Sequence, residues 1–340
     1  MKITIPDLRS VNTIELIKKM NEICIRGNTD IEFDFQSEWV DPLGMILCCS
    51  SIKSLREKHK DISMTMLDPT EANAADYAGH MGFFKYVSDL INIGNRPGEA
   101  PGGYNYVPIT IIDFDELQRR EIASGNYCEL NDTIENESQK LANVLCQSDN
   151  NMKQLFSYII REILRNTPEH SESNQAIICA QYWKNGKAEI AILDEGIGIK
   201  NSLRKNAVHR EYISTDLDAL ESAVQPGISQ AFSPDRMNRS ENAWSNSGFG
   251  LYIASEICKR LDGEFWMVSG NNAIRLNQYK TTTFETSFKG TAIGIKLNAS
   301  ELKDSNKLIS EIAINGEEIA KKNRNAFKTA SEPSKSLFMR

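Results

Sequence analysis

The segment from Leu155 to Ser171 restricts the possible folds more than any other stretch of the chain. Leu155, Phe156, Ile159, Ile160, Ile163 and Leu164 recur at i, i+4 and i+8, the pattern of one apolar helical face. A helix with so broad a stripe must lie against a sheet or other helices. Asn166 nevertheless falls on that stripe, between Leu155 and Ile159 on the helical wheel, and Glu162 sits at its edge. A carboxylate and an amide held against a core cost free energy unless something there uses them. Taken alone, the pair also reads as two solvated helix residues. Thr167-Pro168 follows at once, and the proline predicts that the helix ends or kinks there.

Around this helix the chain alternates strands and helices, which predicts an α/β fold. Residues 2–6, 30–35 and 61–67 read as strands, and residues 12–24, 43–60 and 71–84 as helices. A Pro/Gly-rich loop covers 92–105, and "VPITIID" (107–113) is expected to return as a closing strand of this first domain, residues 1–115. A polar, helix-prone connector covers 116–144. The second domain, 145–298, opens with the helix described above. "QAIICAQYWKNGKAEIAILDEG" (175–196) then reads as two alternating strands around an Asn185-Gly186 hairpin turn. Residues 200–247 are a long polar stretch, followed by a helix (250–263) and further strands ending near Asn298. Residues 299–340 read as one amphipathic helix and a frayed basic tail, with six Lys/Arg against one acid from Ile319 onward.

A length of 340 residues leaves room for two domains. The net charge of −7 argues against broad nucleic-acid or anionic-membrane binding. No apolar run approaches the roughly 20 residues of a membrane helix, and "MKITIPDLRS" lacks a signal-peptide core. The seven cysteines form no CxxC pair and read as reduced, buried thiols, so a cytoplasmic location is expected.

Two further segments bear on the polar pair. "LDEGIGI" (193–199) places an acid at a strand end before Gly-x-Gly, and "NSGFGLYIASEI" (246–257) is a Gly-rich turn running into a helix. Glycines at such a turn let backbone approach a ligand, and free N–H groups at a helix start attract phosphate. Separately, each segment is also an ordinary turn. "GIGIKN" lacks the third glycine of a dinucleotide fingerprint, and the chain contains no GxxxxGK[ST], GxSxG or HExxH.

Together and in this order, the three segments resemble the N, G1 and G2 boxes of the GHKL ATP-binding domain. Gyrase, heat-shock chaperones, histidine kinases and mismatch-repair ATPases share it. The resemblance extends over residues 145–298, closes on "KGTAIGIKLN" (289–298), and implies a Bergerat-type α/β sandwich with a mixed sheet. It implies ATP and Mg2+ as cofactors. Glu162 would be the general base polarising water or a hydroxyl, and Asn166 the magnesium ligand. Asp194 would accept a hydrogen bond from the adenine amino group, with Gly196 and Gly198 admitting the base. Ser247, Gly248, Phe249, Gly250 and Leu251 would bring the lid backbone onto the phosphates, and Thr291 would stand near adenine. One amide oxygen plus phosphates suits magnesium, and a carboxylate one helical turn back can reach a water at the γ-phosphate. Residues 200–247 would be the lid, with Arg204, Lys205, Arg236 and Arg239 as candidate phosphate contacts. Asn246 replaces a common first glycine of the G2 box. His170, often His in the family, has a structural role as its plain reading.

The first domain resembles the STAS fold of anti-sigma-factor antagonists in its strand–helix order, in "WVDPLGMIL" (39–47) and in "GHMGFF" (79–84). Those proteins carry a phosphorylated serine at a "DSSG"-like turn, where this chain has Asp41-Pro42-Leu43-Gly44 and no hydroxyl. The resemblance therefore implies a docking or regulatory module, with another protein as partner or a homodimer. His59 and His80 lack the context of a phosphoacceptor histidine. Three functions follow: an ATP-hydrolysing regulator whose lid controls a partner, a serine/threonine kinase of the anti-sigma-factor type, and a nucleotide sensor without turnover.

Overall fold

The computed structural model describes residues 1–23, 30–67, 69, 74–88, 91, 93–101, 103, 105–123, 125, 129–146, 149–232 and 247–330. The apolar alternation at the N-terminus folds into strands β1 (Lys2–Ile5), β2 (Ile31–Phe35) and β3 (Met64–Met66), which pair in parallel in that order. Parallel strands need crossovers, supplied here by helices α1 (Ser10–Glu22) and α2 (Pro42–Lys58). Asp41 caps α2 by accepting the Gly44 N–H at 2.7 Å, and Pro42 occupies the first turn, where its missing N–H costs nothing. Short helices α3 (Ala75–His80) and α4 (Phe83–Val87) close this module.

Strand β4 (Tyr106–Asp113) does not close the first sheet as its position in the chain suggests; it pairs antiparallel with β5 (Gln175–Tyr182). The five-stranded sheet has the order β4-β5-β6-β8-β7, with β6 (Lys187–Asp194), β7 (Glu264–Leu276) and β8 (Thr281–Asn298). Its pairings are all antiparallel, so it is not the mixed sheet the resemblance implied. The Asn185-Gly186 hairpin forms as read, with Gly186 at φ 81°.

Between β4 and β5 lie α5 (Phe114–Ala123), α6 (Leu130–Leu145) and α7 (Asn150–Asn166). Pro168 cannot donate to the α ladder, and residues 167–171 continue α7 as one wide π turn (Thr167–Ser171) instead of stopping. The polar stretch after β6 is more regular than expected. It winds into α8 (Gly198–Arg204), α9 (Ala207–Arg210) and α10 (Asp216–Ala223), the last opened by a reciprocal Thr215/Asp218 capping box. Helix α11 (Gly250–Arg260) leads into β7, and α12 (Ser305–Lys321) packs on α11 and α7. The segment after α12 is not frayed as far as residue 330: the Phe327 N–H donates to the Gly227 carbonyl at 2.9 Å, and the Phe327 ring meets Phe232 edge-on at 5.4 Å.

Strands β5 and β6 were read as alternating, yet both of their faces are buried. Ile178, Ala180, Ile190 and Ile192 pack toward α7 and α11, while Ile177, Cys179, Ala191 and Leu193 pack toward the N-terminal module. Period 2 sends successive side chains to opposite faces, so two cores share one sheet. Helix α2 runs along the second face. Leu43 sits over Gly294, where a Cβ would come within 2.5 Å of it, and Asp41 bonds Lys296 at 2.7 Å. Trp39 stacks on Trp183 at 5.3 Å, and Tyr77 donates to Gln181 at 2.9 Å. Cys48, Cys49, Cys146, Cys179 and Cys258 are free and buried, as read from sequence. Among the described residues no helix is long and apolar enough to cross a membrane.

Candidate active site

A cleft open to solvent lies between α7, α8, α11 and the near face of the sheet. Glu162 and Asn166 reach it from α7, Asp194 from the end of β6, Gly198 from α8, Gly248, Gly250 and Leu251 from the turn into α11, and Thr291 from β8. Gly196, Ser247 and Phe249 do not line it. A Cβ on Gly196 would strike the Ser171 carbonyl, so that glycine serves the contact between loop and π turn. Phe249 is fully buried in the core.

Glu162 is only 6 % exposed and Arg161 1 %. Glu162 Oε1 accepts from Arg161 Nε and Nη2 at 3.2 and 3.0 Å, and Arg161 Nη1 donates to Glu135 of α6 at 3.1 Å. Burial works against the Arg161 cation, but Glu162 and Glu135 outweigh it and hold its pKa above the ordinary guanidinium value. The arrangement compensates the buried carboxylate through Oε1. Its Oε2 faces Gly250, where a Cβ would come within 2.5 Å. Any side chain at position 250 would have to displace that carboxylate.

Among the described residues no side chain caps the start of α11, whose first residues Gly250 and Leu251 line the cleft, and uncapped N–H groups at a helix start suit an anion. Gly248, at φ 72°, presses against the Ile228 carbonyl, and its own carbonyl accepts the Gly227 N–H at 3.1 Å. The turn is thereby tied to the segment after α10.

Asp194 pairs in register with Thr291, and its Oδ1 accepts the Gly196 N–H at 2.9 Å. Burial pushes its pKa up to about 6, against the opposing effect of hydrogen bonds from Gly196, Ser171 and Thr291. Apolar walls of Ile192, Ile199, Leu203, Ala223, Ile228 and Ile293 flank the cleft. A buried carboxylate beside apolar walls suits a flat ring bearing an amino group.

Sequence reading missed Ser171, Ser202, Ser229 and Gln230, which also line the cleft. The T-x-x-D box at 215–218 could have revealed the helical region that brings residues 229 and 230 there. Arg204 donates to the Arg210 carbonyl at 3.3 Å and Lys205 pairs with Glu172 at 2.5 Å, so neither meets the cleft. Arg236, Arg239 and Asn246 lie outside the described residues. Among the described residues no lysine or arginine lines the cleft. His170 does line it, with its pKa lowered by burial.

Residues 152–297 match the family model described as histidine kinase-, DNA gyrase B-, and HSP90-like ATPase. A comparison of the chain with curated proteins finds no match.

Proposed function

We propose, starting from the histidine kinase-, DNA gyrase B- and HSP90-like ATPase domain formed by residues 152–297, that the chain is a magnesium-dependent ATPase that regulates a partner protein. The supporting observation is convergence. Side chains and backbone from four separate segments, carrying Glu162 and Asn166, Asp194, Gly250, and Thr291, meet in one cleft. Asp194 accepts from the adenine amino group between the apolar walls. The start of α11 meets the phosphates, and Glu162 takes the proton of the attacking water. Magnesium, when bound, would neutralise phosphate charge, and the Asn166 amide is the side chain suited to hold it. The STAS-like reading makes the first module regulatory. Because α2 lies on the ATPase sheet, a protein partner or second copy would engage other surfaces of that module.

Incubation with γ-labelled ATP and magnesium, with and without co-purifying proteins, tests the proposal. Free phosphate is the expected product. Labelled protein would support the serine/threonine kinase reading, and intact bound ATP the sensor. Glu162→Gln should keep ATP binding and lower turnover by about 100-fold or more. Asn166→Ala should weaken magnesium-dependent binding. If neither substitution alters binding or turnover, the proposal fails.

A further inference from the structure

Glu195 follows Asp194 in the loop between β6 and α8, and the two side chains leave the strand on opposite sides. Asp194 lines the cleft. Glu195 reaches the N-terminal module, where its Oε1 accepts from Ser50 Oγ at 2.8 Å and its Oε2 from Lys53 Nζ at 3.0 Å. Ser50 is buried, and the Lys53 ammonium stands 5.7 Å from the centre of the Tyr86 ring. Burial and the nearby Glu195 charge push the Tyr86 phenol upward in pKa, so this is a crowded polar cluster behind the sheet.

The same loop is gripped from the cleft side. The Ile197 N–H donates to the Ser171 carbonyl at 2.8 Å, and the Asp194 carbonyl lies against Gly290, which leaves no room for a Cβ. The loop therefore has two attachments. One belongs to the ATPase domain and the other to α2.

We propose that Ser50 and Lys53 are positioning residues for adenine recognition: through Glu195 they fix the loop that presents Asp194, so the docked N-terminal module sets nucleotide affinity. This rests on the reading that the cleft binds ATP. Neither side chain touches the cleft, so the effect passes through one peptide unit rather than through contact with nucleotide. Linkage makes it reciprocal: nucleotide on Asp194 strengthens the hold of α2 on the sheet. The Lys53–Glu195 pair is partly exposed, which keeps its effect moderate.

The test uses the full chain and a charge swap. Lys53→Glu and Glu195→Lys should each raise the Kd for ATP by about fivefold, and the double variant should return it to within about twofold of the wild type. Inorganic tripolyphosphate, which has no base, should bind all three variants as it binds the wild type. The proposal is overturned if the single variants bind ATP normally, if they lose ATP and tripolyphosphate alike, or if the double variant shows no recovery. Hydrogen exchange in nucleotide-free protein separates this failure from that of the ATP reading. The Gly196 and Ile197 amides should exchange at least about fivefold faster in each single variant. If wild type binds no ATP, the functional reading falls while the exchange still judges the clamp; unchanged exchange overturns the clamp by itself.

Discussion

The two faces of the five-stranded sheet are both buried, but they treat their carboxylates differently. On the face toward the N-terminal module, Asp41 is 1 % exposed and accepts from the Gly44 N–H, the Ser10 N–H and hydroxyl, and the Lys296 ammonium. On the cleft face, Asp194 is similarly buried at 8 %, yet it sits opposite apolar walls with no cation among the described cleft residues. Small residues explain part of the contrast. Ala191, Ala292 and Gly294 let α2 approach the sheet closely, whereas the cleft face leaves space between α7 and α11. A fully satisfied buried acid holds two bodies together. Asp194, held by hydrogen bonds from Gly196, Ser171 and Thr291 but by no described cation, keeps a buried carboxylate at the wall of an open cleft.

The largest expected effect lies on the satisfied face. Asp41→Ala removes a helix cap and leaves Lys296 without its closest carboxylate, although Glu189 remains at 3.4 Å. A loss of about 3–5 kcal/mol in urea unfolding is expected; a loss below about 1 kcal/mol would break the contrast.

Asp194→Asn should act in the opposite direction, because the buried charge is a cost to the ligand-free fold. The folded pKa of about 6 lies above the ordinary carboxylate value of 3.8. The native state therefore binds the extra proton between these limits, and the contribution of the acid is full below the lower limit and lost as pH rises through the upper. The variant should be more stable than wild type by about 1–3 kcal/mol above pH 6, and the advantage should fade as pH falls toward 4. Melting temperatures across that range check the sign, while ATP affinity should drop in the same variant.

The smallest effect concerns the segment after α10, whose Ile228, Ser229 and Gln230 line the cleft. Phe327→Ala removes the ring that meets Phe232 and should cost about 1 kcal/mol. Faster nucleotide release in stopped flow is expected, since Phe327 bonds and packs against the segment carrying Gly227. An unchanged release rate would confine the contrast to the two sheet faces.

Much of this was legible where the signal is local. Helical period placed Glu162 and Asn166 on the buried side of α7, and Asn185-Gly186 marked its hairpin. What the sequence hid is long-range. Nothing local tells β4 to pair with β5 rather than close the first sheet. The Ile-Ile-Cys-Ala run of β5 is compatible with one buried face or two, and the docking of α2 decides it. Arg161 looks like a solvated helix residue until α6 supplies Glu135. The first domain, read as a docking or regulatory module, lays its helix α2 on the sheet of its own chain.

The wide turn at 167–171 has a consequence of phase. A regular α continuation would carry Ser171 to a different side of the α7 axis, away from the Ile197 amide that its carbonyl accepts. Pro168 disfavours that winding. The proline thus times the exit of the helix, so that the residue leaving it arrives facing the loop that follows Asp194.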